Sequence, residues 1–341
     1  MKKQFPLSRL SALCLGLAAL GFAACGDDEE STLPPGGTDV PGGGTGQLPA
    51  DGAIPTVADP VTTVVDAMRG ERYTYTWDDA GRLVGGSDFY ASFSITFSPL
   101  AFHVGTGGDV QDEWESVATD DAGRMTRALI TAQNIYDGSY GHYEVNAGYD
   151  ADGRLVRYDF SGEEDGIAFT DAYTLEYAEG KLRRIENQYE DAENYISRTV
   201  CTYTYDAPGA RPNNGIPFFE ENIGYCEPFM FLGGYFGTPS AEVPGNCRVV
   251  DWRSFDGETS ESKYVQYYEV TYDDAGRVSS FTAYNEQGNT IEDYRYYYGG
   301  APVPDVPSAV NPSRPSVGTQ LSGKPLASRR YIHARRAVWK R

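Results

Sequence analysis

Between residues 70 and 300 the chain alternates apolar and polar positions with a period of two, and long helical periodicity is hard to find. In Tyr73-Thr-Tyr75-Thr-Trp77 the three rings fall on one face and the threonines on the other. That pattern describes a strand with one buried face. Asp78-Asp-Ala-Gly81 follows it and predicts a turn, because Asp bonds the backbone two residues on and Gly accepts positive φ without a Cβ clash. Arg82 is expected to start the return strand on the solvent side, with Leu83 pointing inward. The unit is a β-hairpin.

The same phrase returns as Tyr268-Glu-Val270-Thr-Tyr272-Asp273-Asp-Ala-Gly276-Arg277-Val278, with weaker copies at Asp120–Met125, Asp150–Leu155 and Ala178–Leu182. Gly81, Gly123, Gly153 and Gly180 lie 42, 30 and 27 residues apart, and Asp206-Ala-Pro-Gly209 reads as a degenerate fifth turn. A spacing near 28 fits two strands and two turns added repeatedly. The predicted fold class is all-β, an antiparallel meander of repeated hairpins that curves or closes into a barrel. The faces opposite the rings carry Thr74, Thr76, Thr174, Glu176, Thr202, Thr204, Glu269 and Thr271. A membrane-crossing barrel needs an unbroken apolar band there, so a soluble barrel with a Tyr-rich interior is expected.

The ends differ from the middle. Lys2, Lys3 and Arg9 precede an apolar stretch from Leu10 to Ala23, too short to span a bilayer as a mature helix. It ends in Phe22-Ala-Ala-Cys25-Gly26, which resembles the lipobox of bacterial lipoproteins. The resemblance implies a diacylglyceryl-modified Cys25 and a membrane partnership through that lipid. Asp27, Asp28, Glu29 and Glu30 resemble the signal that exports Bacteroidetes lipoproteins to the outer face of the outer membrane. The expected layout is a signal peptide (1–25), an acidic then Pro/Gly-rich stalk (26–60), a β domain (61–300) with an insertion (207–262), and a Pro-rich linker with a basic tail (301–341). The tail, with Leu321-Ser-Gly323, Tyr331-Ile332 and Arg335–Arg341, resembles the C-terminal tails of secreted Bacteroidetes proteins. A nucleic-acid arm is the other reading of its charge.

Charge narrows the partners. Residues 26–313 hold all 49 acids against 17 Lys and Arg, a net −32. A domain this acidic repels nucleic acid and anionic lipid headgroups. With Cys14 in the signal and Cys25 lipidated, Cys201, Cys226 and Cys247 remain, an odd number. Pairing Cys226 with Cys247 would close the apolar insertion between them; pairing through Cys201 stays open.

Tyr-x-Tyr-Asp-x-x-Gly-Arg-Leu is similar to the YD repeats of Rhs-type proteins, at residues 73–83, 203–209 and 268–278. The whole layout, with Arg211-Pro-Asn-Asn-Gly-Ile-Pro-Phe218, resembles a Bacteroidetes lipoprotein domain family of unknown function with a porin-like fold. That resemblance implies a porin-like barrel and brings no catalytic residues.

Chemistry is sparse. There are three histidines, His103, His142 and His333, and no Cys-x-x-Cys, His-Glu-x-x-His, Gly-x-Ser-x-Gly or Walker pattern. Asp150-x-Asp152-Gly153 lacks the bidentate Glu of a calcium loop. No cofactor or metal is expected. Phe218, Phe219, Phe229, Phe231, Tyr235 and Phe236 form the candidate binding patch, if exposed; otherwise the insertion plugs the barrel end. The favoured function is a surface-exposed lipoprotein that binds a glycan or protein without catalysis. The alternatives are a carbohydrate hydrolase using paired carboxylates and an Rhs-like structural shell.

Overall fold

The alternating segments become sixteen strands, each antiparallel to the next in sequence. In chain order they are β1 (Val61–Asp66), β2 (Glu71–Trp77), β3 (Leu83–Ser87), β4 (Ser92–Phe97), β5 (Leu100–Thr106), β6 (Asp109–Thr119), β7 (Met125–Gln133), β8 (Tyr140–Tyr149), β9 (Leu155–Glu164), β10 (Ile167–Ala178), β11 (Lys181–Asp191), β12 (Ile196–Thr204), β13 (Asn246–Phe255), β14 (Glu258–Tyr272), β15 (Val278–Asn285) and β16 (Thr290–Tyr298). One short helix, α1 (Pro228–Leu232), lies between β12 and β13. β1 pairs with β16, so the meander closes into a barrel and no sheet edge is left for the ring of strands as a whole. This computed structural model describes residues 54–87, 92–106, 109–133, 140–164, 166–209, 211–213, 216, 228–255 and 257–304.

Period two fixes which side each residue faces. Tyr73, Tyr75 and Trp77 share the inner face, as their alternation predicts, and pack on Leu83, Phe102, Tyr158, Phe160 and Phe281 of one continuous core. The outer face is charged: Arg127–Glu144 (2.8 Å), Arg157–Asp159 (2.6 Å), Arg184–Glu176 (2.7 Å) and Arg295–Asp293 (3.1 Å) are ion pairs on it. A lipid-facing wall would carry an apolar belt at these positions. The wall is built for water and the lumen for rings, the reverse of a pore.

The Asp-x-x-Gly-Arg turns share one construction. Asp78 accepts the backbone N–H groups of Ala80 and Arg82 on Oδ1 (3.0 and 2.9 Å) and the Arg82 Nε–H on Oδ2 (2.7 Å). Asp120, Asp150 and Asp273 repeat these three bonds with Arg124, Arg154 and Arg277. A register shift accompanies each turn, and Gly81 and Gly276 stand at φ +77° and +76°, the geometry of a bulged hairpin loop. Backbone and guanidinium bonds from Arg82 hold the Asp78 carboxyl below its ordinary range. Ala178–Lys181 is built differently: Glu179 and Gly180 both have positive φ, a two-residue turn without the aspartate.

The arginines are not simply solvated, as the sequence suggested. Arg124 lies over the Tyr149 ring at 4.7 Å, Arg154 over Tyr177 at 5.2 Å and Arg277 over Tyr298 at 4.3 Å. Arg82 covers Phe97 at 4.6 Å, and Lys181 and Arg183 share Tyr205. The Tyr149 hydroxyl donates to the Met125 carbonyl (2.6 Å), Tyr205 to Leu182 (2.8 Å) and Tyr298 to Val278 (2.9 Å). Each hairpin's last ring is therefore clamped beneath the preceding turn's cation and bonded to the residue after it.

Candidate functional site

The sequence candidates divide sharply. Cys25, Cys226, Phe218 and Phe219 lie outside the described residues. The other four rings of the expected patch do not face solvent: Phe229, Phe231, Tyr235 and Phe236 are all buried. The patch reading is corrected to the plug. Phe229 stacks on Phe93 at 4.0 Å, Tyr235 meets Phe102 edge-on at 4.9 Å, and Phe236 meets Tyr158 edge-on at 5.6 Å. Burying each such side chain contributes roughly 1.5–3 kcal/mol, which explains why an apolar insertion turns inward.

The plug is also tied to the rim by backbone bonds. Met125 N–H donates to Tyr235 O (2.7 Å), Thr238 N–H to Gly153 O (2.9 Å) and Ala241 N–H to Gly180 O (2.9 Å), so the loop visits three turns in succession. Gly237 is forced to be glycine: a Cβ there would stand 2.1 Å from Gly153 O, and its φ is +78°. The Arg211-Pro-Asn-Asn motif serves this closure. Arg211 donates to Pro244 O and Tyr268 O, both at 2.8 Å, and buried Asn213 donates to Ser240 O at 2.8 Å. β13 resumes at Asn246, so the insertion ends well short of the expected residue 262.

Cys247 faces the lumen on β13, and Cys201 faces it from the neighbouring β12, one diagonal step away (Cys201 opposite Val249, Tyr203 opposite Cys247). Both are buried free thiols. Contact with the Cys201 thiol, together with burial, pushes Cys247 up, so it stays protonated.

The far end of the lumen has a different character. There the inner face of β1, β2, β14, β15 and β16 turns polar. Asp66 is buried; its Oδ1 accepts the N–H groups of Met68 and Arg69 (3.0 Å each), and its Oδ2 meets Arg69 Nη1 at 2.7 Å. Tyr73 donates its hydroxyl to Glu71 (3.0 Å) and Tyr268 donates to Gln266 (2.9 Å). Glu292 stands opposite Ala283, which also faces Tyr268, so one methyl group separates the carboxyl from that ring. Protein surrounds Glu292, yet the residue keeps accessible surface, as a cavity-lining side chain does. Burial, reinforced by the Asp66 charge and opposed by Arg69, pushes its pKa up to about 7. Burial likewise raises Asp66 against the pull of Arg69.

β14 overruns β15: Glu258–Val265 pairs with β13, while the β15 ladder starts at Gln266. Its inward positions Ser260, Ser262 and Tyr264 are exposed, Tyr264 by 37%. Solvent therefore reaches the lumenal side of this wall. Among the described residues no group of three or more His, Cys, Asp or Glu is arranged to hold a metal.

Sequence reasoning missed the Glu292 region. A signal existed in Glu292-x-Tyr294-x-Tyr296-x-Tyr298 and Glu71-x-Tyr73, where an acid continues the alternation of inward rings.

No family model matches the chain, and no curated protein matches it. Among solved structures it is similar to a porin-like protein from Bacteroides vulgatus, at 13% identity and a TM-score of 0.51, covering 71% of this chain and 99% of that one. A porin-like protein from Bacteroides uniformis is 17% identical with a TM-score of 0.49, covering 72% and 99%. The Bacteroides vulgatus likeness establishes a shared porin-like barrel architecture.

Proposed function

We propose that this chain is a lipid-anchored outer-membrane protein, displayed at the cell exterior, whose barrel binds a glycan at the lumenal end opposite the plug. The observation that carries the binding reading is the asymmetry of the lumen. One end is closed by a buried aromatic plug, while the other presents tyrosines, carboxyls and an amide on a wall that solvent reaches. A 16-strand barrel is wider than its own side chains fill, so a closed end and a polar end form a cup. Tyrosines on rigid strands supply flat faces for sugar rings at low entropic cost. Anchoring rests on the Phe22–Gly26 lipobox and its acidic sequel. A glycan array with the chain from residue 26 tests binding, with retention by at least one polysaccharide class expected and none overturning it. Labelling of cells with a palmitate analogue tests the anchor: label is expected on the wild type and lost in Cys25→Ser.

One observation favours a second reading, hydrolysis. Glu292, at about 7, neighbours the buried Asp66 carboxyl, the kind of offset pair that supplies an acid and a base. Release of new reducing ends from a bound glycan would support it over pure binding.

A further inference from the structure

Glu292 is the carboxyl of the lumen that its own protein leaves unanswered. Among the described residues no hydrogen-bond donor reaches it, and the nearest cation, Arg69, is already engaged by Asp66 at 2.7 Å. The groups around it come from every neighbouring element. β14 brings Tyr268 and Gln266, β15 brings Ala283, β16 brings Tyr294, β1 and its turn bring Asp66 and Arg69, and β2 brings Glu71 and Tyr73. Tyr268, Tyr294 and Tyr73 are buried rings, fixed in the wall. Ala283 fills none of the space between Tyr268 and Glu292 beyond its methyl group. Carboxyls outnumber guanidiniums here, with Asp66, Glu71 and Glu292 against Arg69.

An anion would meet net negative charge at this point. A neutral sugar would find hydrogen-bond acceptors but would leave the carboxyl's charge uncompensated. A compact cation carrying several N–H donors satisfies all of it, because an ammonium beside tyrosine faces gains from the ring quadrupoles as well as from the carboxylate. We propose that the Glu292 pocket binds the ammonium group of an amino sugar, with Glu292 as counter-ion and Tyr268 and Tyr294 as walls. This deepens the lumenal-binding reading and rests on it.

The proposal fixes the pH dependence. Ammonium binding requires the Glu292 carboxylate, which forms as pH rises through about 7. Affinity should therefore increase from pH 6 to pH 8, and added salt should weaken it. Titration calorimetry of the chain from residue 26 with oligomers of glucosamine, N-acetylglucosamine and glucose, and with spermidine, tests this. Glucosamine oligomers are expected to bind at least 10-fold more tightly at pH 8 than at pH 6 and than the acetylated or neutral oligomers. Spermidine binding as tightly as the sugar would overturn the assignment to an amino sugar while keeping an ammonium site. Glu292→Gln should lose the preference and flatten the pH profile without lowering the melting temperature, and Ala283→Leu, which fills the space, should lose binding with Glu292 intact. Equal binding of all three sugar oligomers at both pH values would overturn the ammonium site and leave glycan binding standing. No binding of any probe, with binding on a wider glycan array, would do the same; no binding on either would remove both readings.

Discussion

The two ends of the lumen are made from the same alternating strands and reach opposite solutions. At the plugged rim every Asp-x-x-Gly-Arg turn answers its own polar groups within five residues, and the next ring locks under its arginine. At the far end, carboxyls point inward and are answered by residues distant in sequence, as where β1 meets β16, or are left open as at Glu292. Local satisfaction makes a rim that tolerates little change; incomplete satisfaction is what a binding surface costs in stability.

The largest expected break is at the plug. Phe236→Ala removes a fully buried ring packed against Tyr158 and Phe231, and should cost about 3–5 kcal/mol in denaturant unfolding. Next is Glu292. A carboxyl whose folded-state pKa is raised binds its proton more tightly when folded. Stability should thus fall as pH rises from the unfolded value of about 4.5 through about 7. The whole effect is up to about 3 kcal/mol, and Glu292→Gln should abolish it in melts taken at half-unit steps. Asp150→Ala removes the acceptor of two backbone N–H groups and of Arg154, for an expected loss of about 1–2 kcal/mol. The depressed Asp150 carboxyl makes its share of stability present above about pH 4 and lost below it, in spite of burial, because the Arg154 bonds outweigh desolvation. The smallest effect belongs to the outer wall: Arg127→Ala, at an exposed pair with Glu144, should change stability by less than about 0.5 kcal/mol. A rim substitution that cost less than this outer-wall one would erase the distinction between the two ends.

The rim was readable from sequence because its interactions are short. Asp78 and Arg82 are four residues apart, and the glycine between them names the turn. Closure was readable only as curvature, since nothing local to Val61–Asp66 says that its partner is Thr290–Tyr298. The plug was ambiguous for a sharper reason. Phe229-Met-Phe-Leu-Gly-Gly-Tyr-Phe has the composition of an exposed adhesive loop and of a core alike, and only the hollow of a wide barrel decides between them. Glu292 was hidden among 49 acids, most of them on turns and outer faces. Its inward position follows from the tyrosine alternation of β16, but its isolation follows from which residues β14, β15 and β1 bring beside it.

An even number of strands has a consequence of its own. β1 leaves from and β16 returns to the plugged rim, where Val57 N–H already bonds Gly81 O. Chain entry, chain exit and the insertion all converge on one circumference, and the opposite circumference consists only of hairpin bends. Those bends bear no connectivity, so their lengths and side chains can drift without threading the chain differently. The barrel thus has a conservative pole and a free pole, and variation in what it recognises can accumulate at the free one while the other holds the fold.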